Sequence, residues 1–390
     1  MRYRKNINCL STNELHDLRE AFTAIYALPE TNPNSFARIA GLHGLPLPYY
    51  CIHVNTGFLT WHRAYLLAIE DALRTVHCDI ALPYWNWSSY NTVGVPVACK
   101  NATYVDRNSN TISNPLYRGP IAPSVGGGMT NRGANINTTS FAAHRNAAQS
   151  ALSQTSWSSF VPQLNSVHGS VHGAIGGSMG GAATAGYDPI FHFHHCNIDR
   201  LWANWQNNNP MPLPSSEANV ILDPFTRPFT NTWHVGADFA NILDWDYKYR
   251  NWCFTVPSWN WPQKAFIKIP IADWVFESDQ IILKISSSMM PKNSVSFRVF
   301  INEEKIDLKT KTEENPKYAG NISFFGMGDA GMNQNLQEPF SMALSITETL
   351  RKLTKKNNKH FAISLVPVYP ENTKIYKNDI TQFEVSLDVE

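Results

Sequence analysis

From Phe58 to Val76 apolar residues recur at steps of three and four, at Leu59, Leu66, Ile69 and Leu73, with His62 in the same stripe. That spacing predicts a helix with one face turned to a core. A second helix is predicted from Phe191: Phe191, His195, Ile198, Trp202 and Trp205 form an apolar stripe, while Ile190, His194, Asn197, Leu201 and Asn204 form a more polar one. Past residue 264 the pattern changes to period two. The segments 266–271, 280–286, 294–302, 321–326, 360–368 and 382–388 alternate apolar and polar positions, with Gly, Asn and Pro clusters between them. Alternation of this kind predicts strands, and their spacing predicts a β-sandwich. Two prolines in V-P-S-W-N-W-P-Q-K resist regular structure and predict a linker over 256–264. The expected organisation is a mainly helical domain over 1–255, that linker, and an all-β sandwich domain over 265–390.

Composition sharpens the division. Four lysines lie at or before residue 264 (Lys5, Lys100, Lys248, Lys264) and thirteen after it, whereas most of the tryptophans come first. A net charge of +1 with 16% charged residues gives no field to attract nucleic acid or an anionic membrane. No apolar run approaches the length of a membrane span, and the charged N-terminus is not followed by the apolar segment of a signal peptide. The chain therefore reads as soluble, with no signal peptide visible and with small or neutral partners.

The chemistry lies in the histidines. His53 precedes F-L-T-W-H-R-A-Y, which carries His62, and His168 and His172 stand four apart, on one face of a helix. An H-x-x-x-H pair alone is compatible with zinc, with haem or with no metal. After it comes D-P-I-F-H-F-H-H-C-N-I-D, with His192, His194 and His195 nearly adjacent. The stripe comparison makes His195 the inward ring and His194 a supporting or solvent-side one. Imidazoles converging with no carboxylate among them suit copper rather than Mg, Ca or Mn.

H-V-N-T-G-F-L-T-W-H-R-A-Y-L-L-A-I-E (53–70) resembles the first copper signature of tyrosinases, catechol oxidases and molluscan haemocyanins, the type-3 copper proteins. The block 188–199 resembles the second, except that His192 stands where that signature has an apolar residue. P-Y-W-N-W (83–87) and Y-K-Y (247–249) are similar to further family motifs, with Asn86 where the family usually has Asp. The resemblance covers roughly residues 5–255. It implies a four-helix-bundle dicopper core, with His43, His53 and His62 on one copper and His168, His172 and His195 on the other. It also implies a thioether between Cys51 and His53, and supporting roles for Arg63, Asn197 and Asp199 in orienting ligand rings.

The implied activity is oxidation of o-diphenols to o-quinones by dioxygen. A reversible oxygen carrier of the haemocyanin kind is the alternative. Haemocyanin units usually come linked in long chains and this chain carries one, which favours the enzyme. Ala182, thirteen residues before His195, falls where the family carries a gate over the first copper, and a small side chain there leaves room for a phenolic ring. Many tyrosinases follow the first ligand of the second copper with Asn and carry a Glu just upstream. Here Gly169 and V-P-Q-L-N-S-V supply neither, so monophenol hydroxylation is expected to be slower than catechol oxidation. The resemblance further implies that the C-terminal domain is a lid, with Phe324, Phe325 or Met327 entering the substrate pocket.

Overall fold

The computed structural model describes residues 1–89, 92–228, 230, 232–250, 252–260, 265–270, 281–287, 295–324, 340–353, 360–369 and 382–389. The chain forms two compact units, residues 1–10 with 14–249 and residues 11–13 with 250–390.

The first unit is built on helices α1 (Thr12–Tyr26), α2 (Phe36–His43), α3 (Phe58–Arg74), α4 (Ala142–Leu152), α5 (Trp157–Ile175), α6 (Ala182–Ala185), α7 (Pro189–Asn208) and α8 (Ser215–Ala218). The stripe read from Leu59 to Leu73 is buried as expected, and the rest of α3 is nearly as deep. A helix buried on every face is central to its unit. The same holds for α7, where every residue from Pro189 to Ala203 is buried. The polar stripe of α7 therefore faces protein, not water, and the reading of His194 as a solvent-side ring is corrected: it is 0% exposed.

Three of these helices, α2, α5 and α7, start from a side-chain cap. Ser35 caps α2 by accepting from the Arg38 amide, and Ser156 caps α5 through the Ser159 amide. Asp188 caps α7 through the Ile190 amide, with Pro189 in the first turn. Asp188 is itself fully buried and receives Arg132, whose Nη2 lies 2.6 Å from Oδ1; Arg132 also donates to the Cys99 and Leu116 carbonyls. The unit closes on itself where Arg2–Arg4 pairs in parallel with Tyr247–Tyr249, the Y-K-Y motif.

The second unit contains two four-stranded antiparallel sheets. One runs 318–324, 295–301, 360–368, 265–270 in spatial order, and the other 340–345, 281–287, 382–389, 252–260. Ile281, Leu283 and Ile285 are buried at alternate positions, as are Phe297, Val299 and Ile301, which is the period-two signal in structural form. One expectation is corrected. Residues 256–260 are not linker: they continue the strand Trp252–Asn260, which pairs with Gln382–Val389, because period-two pairing tolerates Pro257 on an edge strand. A short helix, α9 (Thr347–Leu353), lies between two of the strands. Phe325 and Met327 lie outside the described residues, and so does the side chain of Phe324 at the end of its strand.

Candidate metal centre

Local sequence places each histidine differently. His43 is the last residue of α2, His62 sits in the first turns of α3, His168 and His172 share a face of α5, and His195 lies two turns into α7. His53 stands on the loop before α3 and is exposed. The structure brings all six together. The ring nitrogens of His168, His172, His194 and His195 lie within 4.8 Å of one another, and so do those of His43, His62 and His195. His195 Nε2 is 3.2 Å from Nε2 of both His168 and His172. A third group joins His43, Cys51 and His53. The rings of His62 and His195 stack at 4.4 Å, so the clusters from the two halves of the sequence meet at His195.

Neutral imidazole is the form that binds a metal, and the site enforces it. Burial, with neighbouring histidines adding to it, holds His43, His62, His168 and His195 well below the ordinary histidine range, and burial alone lowers His53. His172 falls to about 4, burial again outweighing the bond to Met179. The sign follows. A histidine whose folded pKa is depressed binds fewer protons in the native state, so its contribution is intact above pH 6.5 and is lost as pH falls through the folded value. Metal-free protein is expected to lose stability steadily from about pH 6.5 to 4, read as a falling urea midpoint. A midpoint that is flat or rises over that window would contradict the buried neutral cluster.

Backbone and amide oxygens fix the rings. His62 Nδ1 is 2.8 Å from the Phe58 carbonyl, His172 Nδ1 is 2.8 Å from the Met179 carbonyl, and His168 Nδ1 is 3.2 Å from Asn165 Oδ1. This leaves Nε2 of each free to face a metal. Phe191 packs between halves of the site, 4.4 Å from the His43 ring and 4.1 Å from the His195 ring. Phe58 lies 4.9 Å from His62 and 4.7 Å from His168.

Arg63, Asn197 and Asp199 take other roles than the one expected of them. Their hydrogen bonds go to partners other than histidine rings. Asp199 accepts from Arg63 Nε at 2.6 Å, Tyr247 Oη at 2.8 Å and Tyr249 Oη at 2.5 Å, and Arg4 lies at 3.4 Å. Asn197 accepts from Arg200 and donates to Ser88. Arg63 and Asp199 hold α7 against α3 and the closing strand, while Asn197 ties α7 to the loop at Ser88, so these residues set the separation of elements rather than the tilt of rings. Glu217 is a supporting residue that no local pattern in the chain reveals. Its carboxylate accepts from the Gly57 amide at 2.7 Å and from Thr60 Oγ1 at 2.8 Å, capping α3 from 160 residues away. Gly57, at φ 89°, supplies no cap of its own, and a capping side chain so distant leaves no local pattern.

The gate segment is anchored to the end of α2. Leu45 N donates to the Ala183 carbonyl at 3.0 Å, and Tyr187 Oη to the Leu45 carbonyl at 2.7 Å. A Cβ on Gly44 would meet the carbonyl oxygens of Ala182 at 2.5 Å and Ala183 at 2.4 Å. Cys51 is a free cysteine with Sγ 3.5 Å from His53 Nδ1, and burial pushes its thiol up to about 11.

Two sets of imidazoles on a helical bundle, with no carboxylate in either, define a histidine-only metal centre for a late transition ion. Residues 33–208 match the family described as the common central domain of tyrosinase, and residues 276–382 match the chloroplastic polyphenol oxidase C-terminal domain. Hemocyanin 2 of Megathura crenulata is 30% identical over 59% of this chain and 7% of its own length. A tyrosinase of Podospora anserina is 30% identical over 54% of this chain and 53% of its own length. The chain thus spans well under two thirds of the relatives it matches. The structure of an octopus hemocyanin functional unit aligns over 99% of both chains with a TM-score of 0.57 at 20% identity, a likeness of fold. The domain over residues 33–208 belongs to the type-3 copper family.

Proposed function

We propose that this chain is a polyphenol oxidase: it holds two copper ions, oxidises o-diphenols to o-quinones with dioxygen, and hydroxylates monophenols more slowly. The observation that carries the reading is the meeting of two three-histidine sets at the His62–His195 stack. In this reading His43, His53 and His62 hold the first copper and His168, His172 and His195 the second. Bound copper supplies the electron transfer between diphenol and dioxygen. The protein supplies neutral rings, fixed nitrogens and a water-poor floor of Phe58, Phe191 and Trp61.

Access favours an organic substrate. Gly169 and Gly173 follow two of the ligands on the exposed face of α5, and a Cβ on either would meet nothing within 4 Å. Ala182, at the start of the anchored gate segment, adds only a methyl group. Proton handling favours the diphenol. Asn165 is committed to His168, to the His53 carbonyl at 2.9 Å and to Asn55 at 3.2 Å, and an amide is not a base at neutral pH.

Copper analysis with a catechol and a monophenol on one preparation tests this. Two coppers with rapid quinone formation and a slower monophenol rate are expected. Two coppers with reversible oxygenation and negligible turnover would make it a carrier, the activity named for its hemocyanin relatives. No copper uptake would overturn both readings.

The same reading includes a thioether between Cys51 and His53. Sulfur would lose its proton and a ring carbon its hydrogen as the C–S bond forms, the two electrons and two protons passing to dioxygen to give hydrogen peroxide; copper held by the neighbouring histidines would supply the redox chemistry. Peptide mass analysis of copper-loaded protein is expected to find the 51–53 segment lighter by two hydrogen atoms and resistant to thiol alkylation. An alkylatable Cys51 in active enzyme would remove the bond from the account.

A further inference from the structure

The six-histidine account leaves His194 unused. Its side chain is 0% exposed, and the His168 backbone is the hydrogen-bonding group closest to its ring. Neutral imidazole carries one donor and one acceptor, so a ring that donates to a backbone carbonyl keeps one nitrogen open to a metal. The other polar groups around it are imidazoles. His194 lies 4.8 Å from the His172 ring, 5.2 Å from His195 and 5.5 Å from His168, to which it is nearly parallel. Its other neighbour is the indole of Trp87, at 5.8 Å. One ring nitrogen from each of His168, His172, His194 and His195 lies within 4.8 Å of the other three, so modest ring movements would bring all four to the Zn–N distance of about 2.1 Å around one ion.

The opposite half of the centre is weaker. His53 comes from a loop and is exposed, so ordering it on a metal costs conformational entropy that the helix-borne rings do not pay. His195 also reaches His43 and His62. Seven imidazoles are therefore available for two ions, and four of them are preassembled on α5 and α7.

We propose that His194 is a metal ligand of the singly loaded protein: the first divalent ion of the imidazole-preferring class, Cu²⁺ or Zn²⁺, is held by His168, His172, His194 and His195, and the position at His43, His53 and His62 fills second. The inference rests on reading these histidines as a metal centre and assigns an order of loading within it. His194 provides a closed four-nitrogen set that retains one ion until the second arrives.

The test uses metal-free full-length protein and zinc, which is silent in redox chemistry. X-ray absorption of wild-type protein with one equivalent of Zn²⁺ is expected to count four imidazole nitrogens; three nitrogens with an oxygen would overturn the proposal. In a competition titration, His194→Phe, which keeps an aromatic ring beside Trp87, is expected to weaken the first equivalent at least tenfold and leave the second unchanged. His53→Ala is expected to do the reverse. An unchanged first equivalent in His194→Phe would overturn the role of His194 while leaving the metal centre standing. Failure of wild-type protein to take up either zinc or copper would overturn the centre as well.

Discussion

His62→Gln is expected to lower copper content from two ions to one and to cut quinone formation by more than about 100-fold. His62 is 3% exposed in α3, and its orientation is set by the Phe58 carbonyl 2.8 Å from Nδ1. Partners that merely orient a ligand are worth about 10- to 100-fold in affinity or activity, so removing the ligand itself costs more. The remaining rings of the first position are His43 and the exposed His53, too few to hold an ion that four clustered imidazoles compete for. The second position is untouched, which is why one copper stays. Glutamine is close in volume to histidine, so lost activity with an unchanged melting temperature of the metal-free protein reports on the metal and not on the fold. A variant that retained both coppers and most of its turnover would take His62 out of the ligand set.

Asp199→Ala is expected to destabilise the first unit by about 3–5 kcal/mol, the usual cost of stripping one partner from a buried ion pair. Although burial pushes its pKa up, Arg63 and Arg4 with the Tyr249 hydroxyl bring Asp199 below the ordinary carboxylate range. Its loss leaves the fully buried Arg63 and Arg4 facing each other across the vacated carboxylate, with Tyr247 and Tyr249 deprived of an acceptor. Arg4 keeps its bond to Glu70 at 2.7 Å and its place 3.8 Å over the Tyr247 ring, and Arg63 stays 3.5 Å over Trp202, so the arginines remain partly compensated. Chemical denaturation of the metal-free protein checks the figure, and a loss under about 1 kcal/mol would reduce the network to ordinary packing. A folded pKa below the unfolded one also means that this contribution is present above the ordinary carboxylate range and fades as pH falls through the folded value.

The contrast between these two residues shows what a sequence makes visible. His62 announces itself: it interrupts an apolar stripe of helical period, and a ligand must sit on the buried face of its helix. Asp199 also stands in a readable motif, yet its partners Arg4, Arg63, Tyr247 and Tyr249 come from three separate stretches, and only their meeting shows that the carboxylate joins helices instead of steering rings. His194 illustrates the limit of periodicity. An amphipathic stripe separates core from solvent only when one face of the helix meets solvent, and α7 has no such face through Ala203. The strand at 252–260 was hidden for a similar reason, since local proline content suggests a linker while the pairing partner lies more than a hundred residues later.

The amino-acid sequence by itself determined the class of fold and marked the histidine-rich segments, because those depend on side-chain period and on residue type, which are local. The tertiary structure decided what depends on distance between remote segments: that the two histidine sets meet at His195, that Glu217 caps α3, that Asp199 fastens the bundle, and that a seventh imidazole lies in the same buried space. Burial is a property of everything packed around a residue, and no window along the chain contains it.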